Sequence, residues 1–291
     1  GTVEILLGAP DLGQGLEPVT EQMVAAELGL PYQAVKATQV DSRFTADGGV
    51  TCASRMTYLV GQSVRAASQK LISRLLGYAS QILEVDKERL SYQDGEVILD
   101  GEKHLPVFEF THRAAEEEIT LQAQATVSFP YPEETTPEHL PIGMPHVMMC
   151  FGGQMARVEV DPQLGTVEVT DVVAVHDVGR VINQMGVEGQ IEGGVAQGIG
   201  YALLEDVRLK EDTGWVDGFV EYLLPTSEDV PAEIKTIILE IPEPSDPLGV
   251  KGVAEIALVP TAPAITNAVA AAAGRRIINL PVRAEELLDI T

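Results

Sequence analysis

The chain has 291 residues, with 44 acidic against 19 basic, a formal net charge of −25 and 5% aromatic residues. Such a charge repels phosphate backbones and anionic lipid surfaces, which excludes nucleic acid and membrane surfaces as partner classes; an anionic ligand would have to be gripped locally by backbone N–H groups and a few cations. Two cysteines (Cys52 and Cys150) without a CxxC pair argue against a zinc, iron–sulfur or disulfide framework built by this chain and point to a reducing, cytoplasmic setting, and neither a membrane-length apolar run nor a signal peptide is present.

In chain order, residues 2–8 read as a buried strand, already in strand pattern with no Met ahead of it, as in a stretch of a longer chain. Gly13-Gln14-Gly15 follows as a turn, then a helix over 17–29 with Pro18 in its first turn and Gly29 at the C-cap position. A strand is expected over 33–41. A long helix spans roughly 54–83, carried by the helical spacing of Val64, Leu71, Leu75 and Ile82. Residues 89–100 form a hairpin around Asp94-Gly95, 105–118 a short helix and 119–129 a strand. The proline-rich stretch 130–146 is a boundary or lid loop. Two strands, 148–161 and 166–175, join through the Asp161–Gly165 turn. A Gly-rich helix lies within 183–204, strands at 205–210, 216–224 and 234–241, and an Ala-rich helix at 253–273. A last strand-like piece and a short acidic helix close the chain. Strands and helices mix without strict βαβ repetition. The fold class is therefore α+β, with mixed sheets and packed helices in two subdomains, 1–146 and 147–291.

Three regions can carry chemistry. The first is Asp11-Leu12-Gly13-Gln14-Gly15-Leu16 at a strand-to-helix turn, where two glycines let backbone approach a ligand closely or simply make the turn. It is no dinucleotide fingerprint, because Pro18 stands where a third glycine belongs. The second runs from Asp47 to Thr57 (DGGVTCASRMT). Two glycines, small hydroxyl residues and Arg55 ahead of a long helix outline an anion site, or an ordinary N-cap by Thr51 or Ser54. Cys52 reads as a buried small residue rather than a nucleophile. The third has two parts. Residues 189–200 (GQIEGGVAQGIG) put five glycines in a helix, each costing up to about 1 kcal/mol against Ala, which suits close packing of another element or of a ligand. In residues 251–258 (KGVAEIAL) the lone Glu255 sits in a small, apolar stretch at an expected helix start. It is a general-base candidate if enclosed, and otherwise a capping or surface residue.

Together, LGQGL, GGVTCASRMTYLVGQ, HDVGRVINQMGVEGQIEGGVAQGIGYALLED and GVKGVAEIALVPTAPAITNAV resemble, in order, the signatures of the molybdenum hydroxylase family of xanthine dehydrogenase and aldehyde oxidoreductase. The resemblance covers about residues 2–284 and implies a C-terminal molybdenum-cofactor-binding domain of the large subunit. It implies molybdopterin, or its cytosine dinucleotide, with molybdenum held by the pterin dithiolene and by no protein ligand. Gln14, flanked by Gly13 and Gly15, would contact the pterin. Thr51, Ala53, Ser54, Arg55 and Thr57 would lie along the phosphate and nucleotide portion, with Gln62 of the same signature also on the cofactor. Gly189 and Gln190 would touch it, and Lys251 lies on the loop approaching it. Glu255 would be the base beside the metal in oxidative hydroxylation of a purine, N-heterocycle or aldehyde carbon, with water as oxygen source.

The same resemblance implies partners: an N-terminal half of the molybdenum subunit, and 2Fe–2S and FAD units on other domains or subunits. This chain alone would be inactive. It departs from the family at Ala254, where the motif before the glutamate usually has a second glycine, and in lacking the FGG segment and substrate-pocket residues of the preceding domain. Phe151-Gly152-Gly153 opens a strand pair instead. A non-catalytic molybdopterin-binding or assembly module of the same fold, and a CO-oxidising or thioester-reducing relative, stay open.

Overall fold

The computed structural model describes residues 1–38, 40–128, 148–210, 214–215 and 218–288. The chain divides into two compact units, Gly1–Met148 with Glu243–Lys251, and Met149–Pro242 with Gly252–Thr291.

In the first unit, β1 (Val3–Leu6) pairs in parallel with β2 (Val35–Thr38) across α1 (Leu16–Leu28). Gly29, left-handed at φ 60°, ends α1 as a glycine C-cap does. The long α2 (Met56–Leu83) buries Met56, Leu59, Val64, Leu75 and Ala79 at helical spacing. A meander follows: β3 (Leu90–Gln93), β4 (Glu96–Leu99) and β5 (Lys103–Pro106). Its tight turn holds Asp94 at φ 48° and Gly95 at φ 79°, the positive pair that a two-residue hairpin requires. With α3 (Val107–Glu116) the meander encloses a core of Leu75, Tyr78, Val97 and Phe110.

Two features of this unit differ from the sequence reading. Residues 119–128 alternate like a strand but join no ladder. They are strapped to α2 by side chains, Lys70 Nζ donating to the Gln124 carbonyl (3.1 Å) and Arg74 to that of Gln122. Residues 243–251, assigned from sequence to the second subdomain, belong to the first unit. Tyr58 Oη lies 3.1 Å from Ser245 Oγ, and a Cβ on Gly61 would come within 3.2 Å of Leu248 Cδ1. The proline-rich 130–146 stretch lies outside the described residues.

The second unit is a three-stranded sheet ordered β10-β7-β6. β6 (Gly152–Asp161) and β7 (Thr166–Asp177) are antiparallel with a bulge at Arg157/Val158, and β10 (Ile234–Leu239) runs parallel to β7. One face packs on α4 (Gln184–Leu203) and α5 (Thr261–Ala273), burying Val172, Ala174, Ile191, Val195, Ile199, Ile265 and Val269. Asn183 caps α4 by accepting from Gly186 N at 2.8 Å.

The expected strands 205–210 and 216–224 reduce to a short pair, β8 (Leu209–Lys210) and β9 (Gly214–Trp215). The chain turns at 218–222 instead, with Tyr222 N bonded to the Gly218 carbonyl. The expected helix over 253–273 begins only at Thr261, and residues 254–260 are turns. Pro260 explains this, because it lacks an N–H and disfavours helical backbone at Val259. The close of the chain holds no strand among the described residues, only the one-turn helix α6 (Ala284–Leu287).

Candidate functional site

The first two motif regions meet in the first unit. Gly48 N donates to the Gly8 carbonyl at 2.7 Å, and a Cβ on Gly48 would lie 2.6 Å from that oxygen, so both loops need glycine there. Thr51 Oγ1 donates to the Pro10 carbonyl (3.1 Å). Beneath them Ala9, Leu16 and Met56 form a small core joining the starts of α1 and α2.

The Gly13–Gly15 turn is organised by Asp11. Its carboxylate accepts from the backbone N–H of Gly13 (2.8 Å), Gly15 (3.2 Å) and Glu17 (2.9 Å). Burial raises the proton affinity of that carboxyl, but these N–H donors outweigh it and hold the pKa below the usual aspartate value. Gln14 folds onto its own turn. Its Oε1 accepts from Leu12 N at 2.6 Å, while Nε2 reaches the Pro10 carbonyl only at 3.5 Å, leaving the amide N–H₂ end the freer one. Gly13 stands at φ 108° with no atom within 4 Å of where its Cβ would be, so backbone is exposed there.

Neither Thr51 nor Ser54 stands at the N-cap of α2. Arg55 holds that position, supplies no side-chain cap and has no acidic residue behind it in the first turn. The N-cap residue of α2 thus offers no side-chain acceptor and the first turn carries no negative charge, a setting that favours an anion, and Cys52 just before it is exposed rather than buried. Ala53 and Ser54 are both left-handed (φ 54° and 48°), a conformation that non-glycine residues rarely take and one that turns successive N–H groups the same way. Arg55 steadies the loop through Nε and Nη2 on the Val50 carbonyl, and Gly49 (φ 77°) leaves room for Nη2 at 3.2 Å from its missing Cβ. Gln62 lies about two turns beyond Arg55 along α2, its Nε2 buried without a hydrogen-bond partner. Lys251 is buried at 7% exposure.

The third region falls in the second unit, apart from Lys251. Its glycines split by role. A Cβ on Gly194 would stand 2.6 Å from Ala257 Cβ, and one on Gly198 2.3 Å from Thr261 Cβ, so these two let the chain between Ala257 and Thr261 pack against α4. Gly189 and Gly193 have nothing within 4 Å and form, beside Gln190, a bare stripe of helix backbone. Glu255 lies on the turn before α5, not in its first turn, with Leu258 N bonded to its carbonyl (3.1 Å). It is exposed rather than enclosed among the described residues.

A polar cluster that the motif reading passed over lies behind that turn. Gln154 Nε2 donates to the Ala257 carbonyl (2.7 Å), and its Oε1 accepts from Thr261 Oγ1 (2.7 Å). His176, fully buried, brings Nε2 to 3.3 Å from Gln154 Nε2. Burial pushes the imidazole below its usual pKa, which favours its neutral form. Both residues sit at positions whose neighbours in alternation, Ala156 and Val158 on β6 and Val172 and Ala174 on β7, point to the core. That break in parity is the sequence signal that would have found them. Among the described residues no cluster of three His, Cys, Asp or Glu could hold a metal, and no helix is long and apolar enough to cross a membrane.

The residues suit an anionic, hydrogen-bonding cofactor better than a bare ion: a helix start with hydroxyls, a guanidinium and no acidic residue in its first turn, open glycine backbone, and amide side chains. Residues 1–231 match the molybdopterin cofactor-binding domain family. The chain is 29% identical over 294 residues to the xanthine dehydrogenase molybdenum-binding subunit of Escherichia coli O157:H7, covering 99% of this chain and 38% of that one. It is 30% identical over 305 residues to the nicotine 6-hydroxylase large subunit of Paenarthrobacter nicotinovorans, covering 100% and 35%. Its fold superposes on quinoline 2-oxidoreductase from Pseudomonas putida 86 with a TM-score of 0.81 at 31% identity, covering 99% of this chain and 36% of that chain. The chain therefore spans little more than a third of the length of these relatives.

Proposed function

The chain belongs to the molybdopterin cofactor-binding domain family, and from that premise we propose that it is the cofactor-gripping, base-supplying part of a molybdenum hydroxylase acting on a purine, N-heterocycle or aldehyde carbon. The observation that carries this reading is the division of the α4 glycines. Gly194, Gly198 and Gly200 are consumed by packing, and Gly189 and Gly193 leave bare backbone beside Gln190, as a closely approaching ligand needs. The partners of this reading are an N-terminal half of the molybdenum subunit, and iron–sulfur and FAD units.

When bound, the cofactor supplies the redox chemistry, with molybdenum held by its dithiolene. The chain's own residues bind and orient it. The α2 N-terminus, Thr51, Ser54, Arg55 and Thr57 would hold the phosphate portion. Ala53 would present backbone, and Gly13, Gln14 and Gly15 would meet the pterin, with Gln62, Gly189, Gln190 and Lys251 completing the contacts. A cytosine dinucleotide form would extend along the same residues. Glu255 would accept the proton released as water's oxygen is transferred to carbon, which requires its carboxylate within hydrogen-bond reach of that proton.

A second reading, a non-catalytic molybdopterin-binding or assembly module, is favoured by the exposure of Glu255. One variant separates the two. In the complete, cofactor-loaded enzyme, assayed with hypoxanthine, quinoline and benzaldehyde, Glu255→Gln keeps its molybdenum while turnover falls by about 100-fold or more. Full turnover in a fully loaded variant would remove Glu255 from the chemistry.

A further inference from the structure

An amide side chain braces the Glu255 turn from behind, on the Ala257 carbonyl that the Thr261 hydroxyl also reaches at 3.2 Å. Gln154 has an oxygen and two N–H hydrogens to place, and all three have a partner at hand. Oε1 takes the Thr261 hydroxyl, one hydrogen goes to the Ala257 carbonyl, and the other faces His176 Nε2 at 3.3 Å. The Ala257 carbonyl fixes which end of the amide is nitrogen, because the flipped amide would set two oxygens against each other. The amide nitrogen therefore faces the imidazole, Nε2 of His176 must be the acceptor, and the ring proton must sit on Nδ1. That nitrogen is buried and has no hydrogen-bond partner. A Cβ on Gly152, the register partner of His176, would lie 2.4 Å from it, so the strand carries glycine where the ring needs room. A fully buried histidine with one ring nitrogen left over is costly as packing alone, and sites kept at such a cost are commonly functional.

The amide ends on the right place to matter. Ala257 is two residues beyond Glu255, and Thr261 opens α5; Leu258 N closes the turn on the Glu255 carbonyl, and Gly194 and Gly198 of α4 let Ala257 and Thr261 seat against the helix. The turn of residues 254–260 is otherwise free of regular structure. We propose that Gln154, its amide held between the Ala257 carbonyl, the Thr261 hydroxyl and His176 Nε2, is the positioning residue that fixes the Glu255 turn. The proposal rests on the reading of Glu255 as the base, and its test keeps the two apart.

Hydrogen exchange on the full chain is the first readout. Gln154→Met and His176→Leu should speed exchange at residues 255–258 by about tenfold or more while the β6–β7 core keeps its protection, and His176→Gln, which retains an acceptor near Nε2, should restore it. Wild-type protection of the turn in Gln154→Met, or a loss in His176→Gln equal to that in His176→Leu, overturns the proposal. Nitrogen-15 spectra of wild-type histidines need no variant. His176 should show the Nδ1–H tautomer through the pH range where exposed histidines titrate, and an Nε2–H ring overturns the assignment. In the loaded enzyme, Gln154→Met should lower kcat about tenfold at unchanged KM and molybdenum content, a split that general destabilisation would not give. A loosened turn with unchanged kcat also overturns the positioning role. If Glu255→Gln is then impaired, the base reading stands without Gln154; if it too is fully active, the base reading itself has failed.

Discussion

At the scale of single residues, the five glycines of residues 189–200 in α4 are the sharpest case of one residue type serving opposed ends. Gly198 is held by packing, since any Cβ would sit 2.3 Å from that of Thr261. Gly198→Ala should destabilise the chain by about 1–3 kcal/mol, as overfilled cores do. Gly189 meets nothing, so Gly189→Ala should instead stabilise the cofactor-free chain by up to about 1 kcal/mol through helix propensity. The same change should lower cofactor retention. Thermal unfolding checks the first two signs and metal content the third; a Gly189→Ala chain no more stable than wild type would mean that its bare face is covered. The sequence displays all five glycines alike. Only the position of Ala257 and Thr261 against the helix tells which are structural, and that contact joins residues some sixty positions apart. Gln154 and His176 were within reach of a parity argument along their strands, yet their partners were not, for the same reason of distance along the chain.

At the scale of elements, local signals were reliable where the chain makes its own decision. The Asp94-Gly95 hairpin, the Gly29 cap and the α2 apolar stripe each follow from residues within a turn or two of one another. Elements that depend on a remote partner were misread. Residues 119–128 have strand alternation, but α2 side chains rather than a neighbouring strand receive them. The helix start at Thr261 was legible in Pro260 and was obscured by the apolar run before it.

The turn entering α1 yields a pH prediction. Asp11 is depressed by backbone donors that outweigh its burial. A carboxylate depressed in the fold contributes stability that is present above the ordinary aspartate pKa of about 3.9 and is lost as pH falls through the lower folded value. The stability gap between wild type and Asp11→Asn should therefore be present at neutral pH and narrow below about pH 4. A gap independent of pH in urea unfolding would mean that the carboxylate does not organise the Gly13–Gly15 turn.

At the scale of the whole molecule, a chain of net charge −25 is a member of a family that binds an anionic cofactor. In the proposed reading local devices answer that charge: an α2 start whose N-cap residue gives no side-chain acceptor and whose first turn holds no acidic residue, one guanidinium, and glycine backbone. Gln14, Arg55, Gln62 and Lys251 belong to the first unit, and Gln190 and Glu255 to the second. The order of these motifs along the chain carried the family reading, whereas their grouping into units did not follow sequence order, because residues 243–251 return to the first unit. The most direct measurement is molybdenum and pterin content of the intact protein purified from its own cells, by metal analysis and by fluorescence of the oxidised pterin. The predicted result is a molybdenum-to-chain ratio near unity with matching pterin, reduced in Gln190→Ala. Folded protein free of both molybdenum and pterin would contradict it.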